Sequence, residues 1–217
     1  MPQLLLIDSS ADVHSSTSRE LTARFASEWS TFGPENSVIR RDLHANPLPH
    51  IPTDELHWAP RLRNPERPVP VEADELQREL VEELIESDVV VIGAPMYNWS
   101  IPSALKAWID YIHVPGTTST FDSVTEPLAG KPAIVVTSCG NQYGPGTPEE
   151  LVDHQIPPLR QVLAVALGMD VTFVRAELTL ASRVPPMASW INASQANKAA
   201  AHREVVALAQ RFGKPRG

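Results

Sequence analysis

A single cysteine, Cys139, stands in 217 residues, so no disulfide can form inside the chain; that usage suits a reducing cytoplasm. No apolar run is long enough to span a bilayer, and the amino terminus has no charged stretch ahead of a cleavable apolar one. An excess of positive charge is also missing. The formal net charge is −8, which argues against a nucleic-acid-binding surface. The seven histidines are scattered, without a spacing such as HExxH, and no metal site is expected. Neither GxGxxG for a dinucleotide nor a Walker-type GxxxxGK loop occurs, and no GxSxG elbow marks a serine nucleophile.

What is present centres on residues 88–112, DVVVIGAPMYNWSIPSALKAWIDYI. Val89 to Ile92 form a continuous β-branched run, the pattern of a strand buried on both faces of a parallel sheet. A loop of Pro95, Met96, Tyr97, Asn98 and Trp99 follows. Ser100 is placed to cap a helix with Pro102 in its first turn, and Leu105, Trp108, Ile109 and Ile112 recur at helical spacing. A central strand thus delivers an aromatic, amide-bearing loop to its carboxyl end, the edge where open α/β sheets bind ligands.

Residues 3–7 read as a first strand and Val38–Leu43 as a second, more polar and so nearer an edge. The turn after the first strand holds Ser9, Ser10, Ser15, Ser16, Thr17 and Ser18, ahead of a helix whose Leu21, Phe25 and Trp29 share a face. Hydroxyls at a helix N-terminus suit a phosphate. A capping box of Thr17 and Glu20 explains the same residues without any ligand. Seven prolines fall within residues 44–70, ruling out a helix or central strand through most of that stretch. Its Leu48, Ile51, Leu56, Trp58 and Leu62 mark it as an ordered excursion, suited to a subunit contact. An acidic helix follows, with Glu72, Asp74, Glu75, Glu79, Glu82, Glu83 and Glu86 as its solvated face. Residues 132–138 make a fourth strand leading to Ser138, Cys139, Gly140, Asn141, Gln142 and Tyr143. Pro157-Pro158 break or restart a helix ending at Gly168, Val171–Ala176 is a fifth strand, and an irregular loop at 182–190 precedes a last helix over about Ala193–Phe212.

Strands alternating with helices predict one doubly wound parallel sheet over residues 1–217, with the flavodoxin-like order 2-1-3-4-5. The hydroxyl turn, the MYNW loop and the glycine turn then meet at one crevice. That combination suits a mononucleotide with a flat ring, namely FMN.

The chain also resembles the FMN-dependent NADH–azoreductase (NADH–quinone oxidoreductase) family along nearly its whole length. The resemblance rests on LLLIDSS with SSTS, on RDLHANPLP at 41–49, on APMYNW with its helix, and on TSCGNQY at 137–143. It implies a flavodoxin-like homodimer with its active site at the interface, FMN as cofactor, NADH or NADPH as donor, and a quinone or azo acceptor. By position it assigns Ser10, Ser16, Thr17 and Ser18 to the phosphate and nearby ribityl. Met96, Tyr97, Asn98 and Trp99 fall to the ribityl chain and isoalloxazine, and Ser138, Cys139, Gly140 and Asn141 to the ring's polar edge. Asn98, through its backbone amide, and Tyr143, near the acceptor, are the residues implied to tune or assist the chemistry. Three departures stand out: Cys139-Gly140-Asn141 replaces Arg-Gly-Gly, Trp99 replaces Phe, and residues 116–130 reduce the family's GxTFxYTxxGPxGL. Two rival readings remain at this level, a flavodoxin-type one-electron carrier and a Cys139-dependent hydrolase or transferase.

Overall fold

Unbroken apolar runs have one comfortable place in an α/β chain, between two layers of helix. The computed structural model describes residues 1–121 and 126–214, and places them there. Strands β1 (Gln3–Asp8), β2 (Ser37–Asp42), β3 (Val89–Pro95), β4 (Pro132–Ser138) and β5 (Asp170–Ala176) form one parallel sheet. Its order is β2-β1-β3-β4-β5, the flavodoxin-like order expected from the sequence. Every residue of β3 and β4 is buried, whereas the edge strand β2 is half exposed.

Period-two alternation divides the core. Leu5, Ile7, Val90, Ile92 and Val135 point to one face, covered by α2 (Val71–Glu86), α3 (Ser103–Ile112) and the short α4 (Ile156–Arg160). Leu4, Leu6, Val89, Val91, Ile134 and Val136 point to the other, covered by α1 (Thr17–Trp29) and α5 (Ile191–Gly213). Burying such a side chain fully is worth about 1.5–3 kcal/mol, so these alternating residues fix both register and layer order.

Helix starts differ from the sequence reading where tertiary hydrogen bonds claimed the capping residue. Ser100 does not cap α3. Its N–H and C=O pair with Tyr97 and its hydroxyl donates to the His154 carbonyl at 3.1 Å, so extended Pro102 precedes the helix instead. The Thr17–Glu20 capping box is likewise absent: Ser16 is the cap, accepting from the Arg19 N–H, and the Glu20 carboxylate turns to Lys198 and His202. The face of α2 is not purely solvated either, because Glu83 binds Arg41 at 2.6 Å and Asp74 binds Arg63. Pro157-Pro158 start α4, which widens into a π-helical turn over Gln161–Ala166 and stops at left-handed Gly168. Helix α5 begins two residues earlier than expected, at Ile191.

Residues 44–70 are an ordered excursion. Leu48 and Ile51 pack on the core, Leu56 and Ala59 are buried, and the buried Gln77 amide donates to the carbonyls of Leu56 and Tyr111. Arg61 reaches the Gly116 carbonyl at 2.7 Å, and Arg63 ties Trp58 to α2. Of the departing segment 116–130, residues 122–125 lie outside the described residues.

Candidate active site

The carboxyl ends of β1, β3, β4 and β5 open on a cleft of about 650 Å³. Its first wall is the turn after β1. Here Asp12 gathers the donors around it, taking the Ser15 N–H at 2.8 Å, the Ser15 hydroxyl at 2.6 Å and the His14 N–H at 2.9 Å. Those bonds, the Ser15 hydroxyl foremost, hold the Asp12 carboxyl down at about 2. Ser15 is thereby consumed within the turn. Ser16 caps α1 by accepting the Arg19 N–H, and the N–H groups of Thr17 and Ser18 before it have no intrahelical acceptor. Ser18 is fully buried, its hydroxyl 3.1 Å from that of Ser16. It supports the turn from beneath and does not line the cleft.

The turn is fixed from behind by the RDLHAN stretch. Arg19 grips Asp42 with two bonds of 2.6 and 2.7 Å and donates twice more to the Ser10 carbonyl, at 2.7 and 3.1 Å. Asp42 also caps the N–H groups of His44 and Ala45. The Arg19 bonds, reinforced by those N–H groups, bring its carboxyl down to about 2. Beside this pair Asp8 accepts from the Thr22 hydroxyl at 2.8 Å, and burial pushes its carboxyl up. Gly93 is required there, since a Cβ would lie 2.9 Å from Asp8 Oδ1.

Met96 and Tyr97, from β3, form the floor. The Tyr97 hydroxyl folds back to accept the Ala11 N–H at 2.9 Å and lies 3.2 Å from Ser10 Oγ, joining the two loops. Asn98 (φ 50°) and Trp99 (φ 64°) are both left-handed, and Tyr97 and Ser100 exchange bonds of 2.9 and 3.1 Å across them. This is the geometry of a two-residue hairpin turn, which asparagine tolerates and tryptophan does not. The turn is clamped from outside: the His154 N–H donates to the Trp99 carbonyl at 3.0 Å, and the Gln155 amide to the Ala94 carbonyl at 2.7 Å. Burial, the largest effect, raises the Tyr143 phenol.

The facing wall comes from β4, β5 and α5. Ser138, Cys139 and Gly140 line it, and the loop after β5 seals them: the Thr179 N–H and hydroxyl both donate to the Cys139 carbonyl, at 3.1 and 3.0 Å. A Cβ on Gly140 would sit 2.5 Å from Leu180 Cδ1. Leu178 adopts φ 60° while buried. Burial, then the nearby Glu177 carboxylate, pushes the Cys139 thiol up to about 12. A thiol held protonated in this way is a poor nucleophile.

Of the residues expected from sequence, the cleft lining brings together Ser10, Ser16, Thr17, Met96, Tyr97, Ser138, Cys139 and Gly140. Asn98, Trp99, Asn141 and Tyr143 stand outside that lining. Sequence reasoning missed Glu177, Thr179, Leu180 and Arg183 after β5. It also missed one face of α5, made of Ile191, Ser194, Gln195 and Lys198. Their i, i+3, i+4, i+7 spacing was the available signal. Among the described residues no helix is long and apolar enough to cross a membrane, and no His, Cys, Asp and Glu cluster is arranged to hold a metal.

A family model described as a flavodoxin-like fold matches residues 2–204. The chain is 48% identical over 189 residues to an FMN-dependent NADH:quinone oxidoreductase of Kineococcus radiotolerans, covering 87% of this chain and 89% of that protein. It is 41% identical over 213 residues to one of Streptomyces coelicolor, covering 97% and 94%. In fold it is similar to the crystal structure of an FMN-dependent NADH-azoreductase from Bacillus anthracis in complex with FMN. The TM-score there is 0.78 at 23% identity, covering 98% of this chain and all of that one.

Proposed function

The chain belongs to the flavodoxin-like family of FMN-dependent NADH:quinone oxidoreductases, and from that premise we propose that it passes two electrons from a nicotinamide donor to quinones or azo compounds through FMN. The observation that carries the proposal is the cleft itself. It falls in the size range of ligand sites, has hydroxyls and a helix N-terminus at one end, and has a floor of Met96 and Tyr97 facing Ser138 to Gly140 at the other. That donor set fits a phosphate joined to a flat heteroaromatic ring.

In this reading Ser16 and Thr17, with Ser10 and the backbone N–H of Ser18, hold the phosphate. Met96 and Tyr97 flank the ribityl and ring, with Asn98 and Trp99 closing the turn beside them. Ser138, Cys139, Gly140 and Asn141 meet the ring's polar edge. FMN, when bound, accepts a hydride and delivers two electrons. The protein contributes position and shielding: the Arg19–Asp42 pair fixes the phosphate turn, and the His154 clamp fixes the MYNW turn. Asn98 offers its amide toward the reactive edge, and Tyr143, whose N–H donates to Glu177 at 3.0 Å, borders the acceptor. Half-buried Trp58, packed edge-on against exposed Phe121 at 5.2 Å, supports a homodimer in which the excursion covers the site. The lone buried cysteine suits a cytoplasmic setting.

Donor and acceptor using one pocket in turn gives ping-pong kinetics. The test is anaerobic addition of NADH or NADPH to the FMN-loaded protein, then a small quinone such as menadione. The flavin colour should bleach and return, and steady-state double-reciprocal lines should be parallel. Failure of both nicotinamides to bleach it would replace this reading with the one-electron carrier.

A further inference from the structure

The phosphate turn looks neutral in the sequence, with no lysine close by in the chain. The fold changes that. Helix α5 opens beside α1, and its first two turns present Ile191, Ser194, Gln195 and Lys198 to the same cleft that Ser16 and Thr17 line. The α5 wall is tied in place where the Asn197 side chain accepts the Glu177 N–H at 2.6 Å. The basic residues lining the cleft are Lys198 and Arg183, and its carboxylates are Asp12 and Glu177. Asp12 is occupied with its own turn. Lys198 is not simply solvated: its Nζ lies 2.6 Å from Glu20 Oε2, one turn into α1, and His202 Nε2 lies 2.8 Å from Glu20 Oε1.

We propose that Lys198, held against Glu20, is a second-wall cation for the FMN phosphate, so that the phosphate is bound between two helices and not by the α1 turn alone. The proposal rests on the FMN reading of the cleft. The physical case is a balance of charge. A phosphate at Ser16–Thr17 would face the Asp12 carboxylate, and of the two basic residues lining the cleft, Lys198 and Arg183, Lys198 is the one held against α1, through Glu20. Glu20 thus becomes the residue that holds a cation at the cleft edge. Lys198 is the eighth residue of α5, beyond the first turn, so what it brings to the cleft is its own charge and not the N-terminal end of that helix.

The experiment is titration of the cofactor-stripped full-length protein with FMN and, separately, with riboflavin, which lacks the phosphate, followed by quenching of flavin fluorescence. Lys198→Gln should weaken FMN about fivefold at low salt, the size expected of one partly exposed charge, and should leave riboflavin affinity unchanged. It should also flatten the salt dependence of FMN binding. Lys198→Arg should restore affinity to within about twofold. Equal FMN affinity in wild type and Lys198→Gln at low salt would overturn the proposal while leaving the FMN reading intact. Parallel loss of riboflavin and FMN would overturn it as well, since the lysine would then be structural. Wild-type protein that binds neither flavin would remove the FMN reading and this proposal together.

Discussion

The two walls of the cleft are held by different physics. The β1–β3 wall is a set of local caps and ties. Asp12 caps its turn, Ser16 caps α1, Tyr97 joins the loops, and the Arg19–Asp42 pair braces them from behind. The β4–β5–α5 wall has few such caps. It holds a buried thiol, a buried left-handed leucine and a glycine pressed by Leu180, and it takes its shape from packing across three elements. One wall should therefore fail when a hydrogen-bonding group is removed, and the other when a shape is changed.

The most damaging single change on the first wall should be Arg19→Ala. It leaves Asp42 unpaired and frees the Ser10 carbonyl, costing about 2–3 kcal/mol of stability for a charge-assisted network; thermal melting together with an FMN titration checks this. Next, Ser16→Ala should weaken FMN by several-fold or more, because a charge-assisted bond is worth roughly 1.5–3 kcal/mol. Unchanged affinity there would move the phosphate off this turn.

Two glycine substitutions sharpen the contrast, because both relieve a left-handed residue at about 1–2 kcal/mol. Leu178→Gly also loses a buried leucine worth about 1.5–3 kcal/mol and adds unfolded-chain freedom, so it should destabilise. Trp99→Gly loses an exposed ring, 56% accessible, and should be neutral or stabilising by up to about 1 kcal/mol. Denaturant melts showing the same sign for both would contradict the account. Cys139→Ser should change NADH-dependent turnover by less than about tenfold, since the residue offers a thiol and not a thiolate.

Acid and alkali should separate the walls too. Asp12 and Asp42 titrate at about 2 in the folded chain, below the ordinary 3.8, so their stabilisation is complete above pH 3.8 and is lost as the pH falls toward 2. Cys139 is raised from 9.0 to about 12, so its contribution is complete below pH 9 and is lost as the pH climbs toward 12. Stability profiles should lose acid sensitivity in Asp42→Asn and alkaline sensitivity in Cys139→Ser.

The same division explains what the sequence disclosed. Strands β3 and β4 were legible because a run such as Val89–Ile92 has no alternative burial, and the sheet order followed from strand count and alternation. The β1–β3 wall was legible because its lining residues fall in two short runs, each just past the end of a readable strand, although the ties between and behind them, Tyr97 to Ala11 and Arg19 to Asp42, are distant in sequence. The misread starts of α1 and α3 share one cause: Glu20 and Ser100 have the local chemistry of caps, but Lys198, Tyr97 and His154, distant in sequence or committed to another turn, claimed them first. Glu177, Arg183 and Lys198 converge only through the sheet and α5, and no local pattern marks them apart from helical spacing.

The claim common to both walls is that they close on one flavin mononucleotide. Protein purified without added cofactor, or loaded and desalted, should show a flavin absorption spectrum, and acid release followed by mass spectrometry should yield FMN at one per chain. A colourless protein that takes up no FMN at micromolar concentration, or one that releases a different cofactor, would contradict it.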